Sequence, residues 1–318
     1  VSKAEIAAAK KTVDADFKKA AKEAHKRITE FAVAGLREDW RMPAPQGGWL
    51  GEKFVALDRI GAYIPGGAAP LASTALMTLT LAEVAGVPER IACTPAGAGG
   101  KVNPYVLYAL DLAGATEIYK VGGIQAIGLM AYGTHRVPPV QKIVGPGNAY
   151  VTAAKRQVYG QVAIDQVAGP SEIAILADGH AKAAWVAADL LSQAEHGSGL
   201  EKSLLVTNDP TLAKQVRRQI DEQLQSLSRQ EAINRVLASQ GILIVVTPDL
   251  DQGMELCNRF APEHFEIMTR DAARRARDVR AAGAVFVGDW TPEAAGDFVA
   301  GPSHVLPTGG AARMFSGL

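Results

Sequence analysis

The chain has 318 residues, of which 48% are hydrophobic, and its 33 basic side chains balance 33 acidic ones. This length and composition indicate a large buried core and favour two lobes over one. The neutral charge balance gives no reason to expect a nucleic-acid partner. Cys93 and Cys257 are too few for a disulfide framework or a cysteine zinc site, so we expect both to be reduced core residues.

No targeting or membrane segment is predicted. The N-terminus is charged and alternating, unlike a signal peptide, and we expect a cytoplasmic protein. The longest stretch without charge, residues 60–82, contains Pro65, Pro70 and several Gly, Ser and Thr residues. It predicts a loop and a buried helix instead of a membrane span.

The predicted elements begin with one or two long helices over residues 2–37, which are rich in Ala, Lys and Glu. Residues 41–51 predict a loop rich in Pro and Gly. Short apolar strands then alternate with helices, and the alternation resets near residues 169–171. The predicted strands are 90–94, 117–121, 142–144, 162–167, 173–176, 203–207, 242–247, 265–269 and 284–287. The predicted helices are 73–85, 104–112, 125–132, 149–158, one from about 181, one from about 210, 250–260 and 272–282. This pattern is typical of an α/β protein with mostly parallel sheets in two lobes.

Four loops are rich in glycine, proline and polar residues: 63–67, 121–125, 144–148 and 168–172. We expect them at the carboxyl ends of parallel strands, where ligands bind in such sheets. Glycine allows a close backbone approach, and a helix N-terminus offers N–H groups to phosphate. The loops suit a nucleotide or another anionic ligand, although similar turns are ordinary in α/β proteins. None carries Gly-x-Gly-x-x-Gly, so an ordinary Rossmann dinucleotide site is not supported.

The helix that begins near residue 181 ends in polar residues, and Gly197 is a natural helix stop. Asp189, Gln193 and His196 then share one face, so the last turn presents an amide and an imidazole together. Such a pair holds a metal only with further ligands, because zinc usually takes three or four. The alternative is a solvated helix end.

Glu263 and His264 open a predicted strand and point to opposite faces if the chain is extended there, so we expect separate roles. Each is suited to general-base chemistry near neutral pH. The alternative is a surface carboxylate beside a half-buried imidazole. Asp297, in or just after a short helix, is able to complete a site with Gln193 and His196. His304 lies in a loop that follows.

Taken together, these segments resemble the histidinol dehydrogenase family. The resemblance runs from about Leu50 to the end, and any one matching segment is modest, whereas the ordered set is specific. The matching segments, in the family's order and spacing, are residues 63–67, 145–149, 153–157, 168–172, 192–197, 261–264 and 288–308.

The resemblance implies a zinc- and NAD-dependent enzyme that oxidises L-histidinol to L-histidine through histidinal, with two NAD per substrate. It implies that Gln193, His196 and Asp297 bind zinc. It also implies that these three residues contact the substrate, together with Ser171, His264 and His304.

The resemblance implies a role for each base and a set of cofactor contacts. His264 would take the proton from the alcohol, and Glu263 would activate the water that attacks the aldehyde. Tyr63, Gln125 and Asn148 would contact NAD.

The implied fold has two related, incomplete Rossmann-like lobes in a homodimer with a shared active site. The implied boundaries are an N-terminal helical segment over 1–40, a zinc lobe over 41–62 and 172–318, and an NAD lobe over 63–171. Two features depart from the family. We expect the family's C-terminal segment, with a fourth zinc ligand and a substrate-binding Glu, to be absent after Leu318, and Ser303 stands where the family usually has Asn.

Three other hypotheses stay open. A paralogous zinc- and NAD-dependent alcohol dehydrogenase would act on another small polar alcohol, such as sulfopropanediol, although such relatives tend to differ in residues 169–172 and 192–196. A zinc hydrolase would use Glu263 on a metal-bound water and need no NAD. An inactive fragment would lack the C-terminal ligand.

Overall fold

A computed structural model of the chain describes residues 1–66 and 71–318, so Gly67 at the end of the predicted loop 63–67 lies outside the described residues. The chain divides into two compact units. The first unit comprises residues 1–165 and 298–305, and the second comprises residues 166–297 and 306–318.

The predicted N-terminal helical segment is confirmed as α1 (Lys3–Thr12) and α2 (Ala15–Ala34). Both helices begin at side chains that accept hydrogen bonds from the backbone N–H groups of the first turn, Ser2 in α1 and Asp14 in α2. Such caps satisfy donors that have no partner inside the helix.

The loop predicted over residues 41–51 is wrong, because β1 (Trp40–Pro43) and β2 (Trp49–Glu52) form an antiparallel hairpin there. Gly47 and Gly48 have φ angles of +90° and +83°, and this left-handed backbone closes the turn. Every residue of both strands is exposed, including two tryptophans.

The first unit contains a five-stranded parallel sheet of strand order β5-β4-β3-β6-β7. Its elements are β3 (Arg59–Tyr63), α3 (Ala72–Val84), β4 (Glu89–Cys93), α4 (Pro104–Leu112), β5 (Glu117–Tyr119), α5 (Gly123–Tyr132), β6 (Lys142–Val144), α6 (Ala149–Val158) and β7 (Ala163–Ile164).

The second unit contains another five-stranded parallel sheet, of order β10-β9-β8-β11-β12. Its elements are β8 (Glu172–Ala177), α7 (Ala183–Ala194), β9 (Lys202–Thr207), α8 (Pro210–Leu224), α9 (Gln230–Ala238), β10 (Ile242–Val246), α10 (Leu250–Phe260), β11 (His264–Met268), α11 (Ala272–Arg275), β12 (Ala284–Val287) and α12 (Glu293–Phe298).

Each sheet, read in chain order, has its strands in the order 3-2-1-4-5. That is the order of five of the six strands in a Rossmann fold. The prediction of an α/β protein with two incomplete Rossmann-like lobes is therefore confirmed.

The central strands β3 and β8 are buried along their whole length, as strands covered by helices on both faces must be. Cys93 and Cys257 are free and buried, as predicted, and burial raises the pKa of each thiol to about 12. None of the helices in the described residues is long and apolar enough to cross a bilayer.

Several predicted boundaries differ from the structure. Residues 41–62 and 298–305 are predicted in the zinc lobe but belong to the first unit, where β3 pairs with β4 and β6. Residues 166–171 are predicted in the NAD lobe but belong to the second unit. The helix predicted from about residue 210 is two helices, and neither glycine nor proline marks the break at residues 225–229. The helix predicted over 272–282 ends at Arg275, and the strand predicted over 162–167 has two residues.

Candidate active site

Helix α7 and the turn after it contribute Gln193 and His196 to the site. The apolar stripe of the helix buries Leu190, Leu191 and Ala194 in the core of the second unit, and Gln193 on the same helix is fully buried as well. The helix ends at Ala194, so His196 lies in the following turn and not, as predicted, in the last helical turn. His196 Nδ1 is still 3.1 Å from the backbone oxygen of Gln193 and 3.4 Å from its Nε2.

His264 is the first residue of β11 and is 2% exposed. Its Nδ1 lies 2.8 Å from Gln193 Oε1. An amide oxygen only accepts hydrogen bonds, so this contact places the imidazole proton on Nδ1 and makes Nε2 the basic nitrogen. The hydrogen bond fixes both the orientation and the tautomer of the ring.

Glu263 lies in a bend just before β11, and its Oε2 accepts a hydrogen bond of 3.0 Å from the backbone N–H of Glu172. The Ser171 side chain also hydrogen-bonds to it. The prediction that Glu263 and His264 point to opposite faces is wrong, because the bend leaves Glu263 Oε2 only 4.0 Å from His264 Nδ1. Their hydrogen-bond partners nevertheless differ.

Helix α12 supplies two carboxyl groups, Glu293 and Asp297, which are one helical turn apart. His264 Nε2 lies 3.8 Å from Glu293 Oε1 and 3.9 Å from Asp297 Oδ1. One ligand atom from each of these three residues lies within 4.8 Å of the others, so the group is able to hold a metal ion.

These two carboxyl groups belong to an acidic cluster, which we define as Asp189, Glu263, Glu266, Glu293 and Asp297. Glu266 hydrogen-bonds to Asp189, and its Oε1 accepts a 2.7 Å bond from the backbone N–H of Glu293. Within residues 1–66 and 71–318, no lysine or arginine forms an ion pair with any member of the cluster; its ion pairs are with His264.

Burial raises the pKa values of four carboxyl groups in the cluster, those of Asp189, Glu263, Glu266 and Asp297. The pKa values of Glu263 and Glu266 lie well above their usual range, first because burial disfavours the charged form and then because other carboxylates are near. Burial raises the pKa of Asp189 to about 6. Burial and the neighbouring Glu293 raise the pKa of Asp297 to about 8.

The cluster fits a divalent cation. Glu293 Oε1 is buried and, among the described residues, has no hydrogen-bond partner. A cation would offset the buried negative charge, and carboxylate and imidazole groups are common zinc ligands. The structure therefore has a possible metal site around His264 and Asp297.

This site lies at the amino ends of β8 and β11, because His264 opens β11 and Glu172 opens β8. Loop 168–172 follows β7 along the chain, as predicted, and it also leads into the amino end of β8, where the site lies. Two hydrogen bonds attach the loop region to residues 308–309: Gly169 N–H donates to Thr308 Oγ1, and Gly309 N–H donates to Glu172 Oε2 at 3.0 Å.

Three predicted cofactor residues lie in the first unit, at the carboxyl ends of its strands. Tyr63 ends β3, Gln125 lies in the first turn of α5 after β5, and Asn148 accepts hydrogen bonds from the first turn of α6 after β6. The Tyr63 hydroxyl accepts a 3.0 Å hydrogen bond from the N–H of Gly123. The strand order reverses between β3 and β6, which is where Rossmann-like sheets bind ligands.

His304 also belongs to the first unit, in the segment 298–305. Its Nε2 lies 3.2 Å from Ser73 Oγ and 3.4 Å from Thr74 Oγ1. The adjoining Ser303 is buried and donates a 3.0 Å hydrogen bond to the Met77 backbone oxygen. The structure thus groups Ser171, Gln193, His196, Glu263, His264 and Asp297 in the second unit and places His304 in the first.

Sequence reasoning missed Glu266 and Glu293. Two signals were available: Glu293 precedes Asp297 by one helical turn, and Glu266 interrupts an otherwise apolar strand two residues after His264, on the same strand face.

Comparison with solved structures shows a likeness at two levels. A propionaldehyde dehydrogenase from the fucose utilisation bacterial microcompartment of Clostridium phytofermentans aligns with a TM-score of 0.51 at 15% identity, over 99% of this chain and 92% of that one. This likeness concerns the fold alone. A crystal structure of histidinol dehydrogenase from Elizabethkingia anophelis aligns with a TM-score of 0.96 at 38% identity, over 100% of this chain and 73% of that one.

Sequence comparisons agree with the second likeness. Histidinol dehydrogenase from Moorella thermoacetica is 47% identical over all 318 residues, which span 74% of that relative. The family model described as histidinol dehydrogenase matches residues 1–318. The chain therefore belongs to the histidinol dehydrogenase family.

Proposed function

We propose that the protein oxidises L-histidinol to L-histidine through histidinal, with Zn²⁺ and two NAD per substrate. The observation that carries this proposal is the environment of His264. Gln193 and Asp297, two of the predicted zinc ligands, and Glu263, the other predicted base, all lie within about 4 Å of this one imidazole. The matched relatives are named for histidinol, so the paralogous alternative is not favoured.

We propose that Gln193, His196 and Asp297 hold the zinc. The contacts of His196 with Gln193 and the buried charge around Asp297 support this set. Glu293 lies beside Asp297 with a buried oxygen directed toward His264, so it would add to the negative charge that attracts the cation. When bound, zinc would hold the amino and imidazole nitrogens of histidinol, and NAD would accept one hydride in each half-reaction.

His264 would act as the base in alcohol oxidation. Its Nδ1 hydrogen bond to Gln193 makes Nε2 the nitrogen that takes the hydroxyl proton. Since the ring is almost fully buried, bulk water would not compete for that proton.

Glu263 would act in the second half-reaction, by removing a proton from the water that attacks histidinal. Its carboxylate must be ionised for this step, and the negative charge of Asp297 is one cause of its raised pKa. A cation at Asp297 would therefore lower the pKa of Glu263 toward the working range of a base. Ser171 hydrogen-bonds to Glu263, so a substrate contact through Ser171 would place the aldehyde next to that carboxylate.

The remaining predicted contacts belong to the first unit. Tyr63, Gln125 and Asn148 would bind NAD at the carboxyl edge of the first sheet, beside the N-terminus of α6, whose helix dipole favours a negative charge. His304 would complete the substrate contacts.

We also propose a cytoplasmic homodimer with a shared active site and with neither nucleic acid nor membrane as a partner. The hairpin β1–β2 supports dimerisation, because Trp40, Met42, Trp49 and Leu50 are all about half exposed. An isolated two-stranded hairpin is only marginally stable in water, so a second surface covering it would stabilise it.

The first prediction concerns metal retention. His196→Ala should weaken zinc binding more than tenfold, because a site with one ligand fewer loses affinity. Zinc per chain, measured by mass spectrometry after dialysis, checks this. His180→Ala, at an exposed histidine that pairs with Asp289, is the matched control and should keep its zinc. Full zinc retention in His196→Ala would contradict the ligand assignment.

The second prediction separates the two bases. Glu263→Gln should slow the oxidation of supplied histidinal by about 10²- to 10⁴-fold, because proton removal from water is lost. NADH formation in a single turnover of histidinol to histidinal should fall much less. Glu231→Gln, whose parent side chain is 93% exposed, is the control and should leave both rates unchanged. Equal losses on the two substrates in Glu263→Gln would be inconsistent with separate roles.

The third prediction concerns pH. Burial raises the pKa of Glu172 from 4.5 to about 6, so the folded chain retains a proton that the unfolded chain has released. Stability linked to this group is present below about pH 4.5 and is lost as the pH rises through about 6, a change of about 2 kcal/mol. The metal-free parent should therefore lose about 2 kcal/mol more than Glu172→Gln when urea unfolding is compared between about pH 4.5 and pH 7.5. Parallel pH profiles would show that Glu172 titrates normally.

A further inference from the structure

The first unit contains a buried ion pair between Lys155 on α6 and Asp165, which directly follows β7. Their side chains are only 3% and 1% exposed. Neither charge reaches the surface, so neither side chain is placed to touch a ligand. Burying two charges is costly unless each also gains further hydrogen bonds. The other hydrogen bonds of Lys155 and Asp165 therefore indicate which part of the chain the pair holds in place.

Both partners bind the same residue, Gly145. Lys155 Nζ donates a 2.9 Å hydrogen bond to the Gly145 oxygen, and the Gly145 N–H donates a 2.7 Å hydrogen bond to Asp165 Oδ2. The ion pair thus closes a ring around Gly145 and satisfies its donor and its acceptor at once.

The backbone held by this ring has little freedom. Gly145 has a φ of +109°, and a Cβ there would lie 2.3 Å from the Tyr63 backbone oxygen. Two residues later, a Cβ on Gly147 would lie 2.3 Å from Val151 Cγ1 in the first turn of α6. The loop 145–148 therefore passes in close contact over the end of β3 and onto the start of α6.

This loop occupies the point where the strand order of the first sheet reverses, between β3 and β6. It leads into the N-terminus of α6, which Asn148 caps through the N–H groups of Tyr150 and Val151. A displacement of Gly145 would move the backbone of this loop, which a dinucleotide's phosphates would approach.

We infer that Lys155 and Asp165 are positioning residues for the dinucleotide cofactor, which act by holding Gly145 and with it the loop 145–148. The inference rests on the proposed function, since it takes NAD as the ligand of this edge. The pair carries no net charge, so its effect is geometric and not an electrostatic attraction of phosphate.

The test replaces both charges at once. Lys155→Met/Asp165→Leu keeps side chains of similar shape and leaves no unpaired buried charge, whereas either single change would leave one buried charge without its partner. The double variant is expected to fold with reduced stability, because the Gly145 N–H and C=O lose their partners, and thermal unfolding measures that loss. The matched control is Lys10→Met/Asp111→Leu, which removes a partly exposed pair of the same unit with a 2.7 Å N–O distance. Thermal unfolding, zinc content and calorimetric binding of NAD and of histidinol are measured on the parent and on both variants.

The expected result is that the Kd and the KM for NAD rise about tenfold or more in Lys155→Met/Asp165→Leu, because the loop is no longer held in one position. Zinc content, histidinol binding and kcat at saturating NAD should stay near the parent values, and the control should bind NAD normally. A folded double variant with unchanged NAD affinity overturns the inference alone. A zinc-loaded parent that does not bind NAD overturns the proposed cofactor and the inference with it.

Discussion

The hydrogen bond between His264 and Gln193 is the contact on which the candidate site depends. It forms only if the end of α7 lies against the first residue of β11, both fully inside the second unit. The same packing brings α12 over the imidazole, so that Glu293 and Asp297 face its other nitrogen. The resulting acidic cluster is buried without a lysine or arginine partner among the described residues. A cation is the simplest group that relieves such a concentration of charge.

The two sheets share one topology, but their candidate site residues lie at opposite ends of the strands. In the first sheet, Tyr63, Gln125 and Asn148 follow the carboxyl ends of strands, as in ordinary Rossmann sheets. In the second sheet, Glu263 and His264 stand at the amino end of β11, and Glu172 opens β8. This difference supports a division of labour in which the first sheet binds the cofactor and the second performs acid–base and metal chemistry.

The sequence predicted the fold well where local pattern decides it. The alternation of apolar strands with helices places α4, α10 and β12 at their observed residues. The starts of the two helices are marked by the capping residues Asn103 and Asp249. The hairpin at residues 40–52 was missed because its turn depends on two glycines with positive φ inside a segment typical of a loop. The site residues were identified by resemblance, but the proximity of Glu263 to His264 depends on a bend that no periodicity indicates. Glu266 and Glu293 matter only because α12 packs over β11, and such packing between distant segments cannot be read from local sequence.

The most direct test of the account is the number of NADH formed per histidinol consumed by the zinc-loaded protein. The assignment of one base to the alcohol and another to the aldehyde predicts two NADH per histidinol, with histidine as the product. One NADH per histidinol, with histidinal accumulating, would contradict it, because Glu263 would then have no role in a second oxidation.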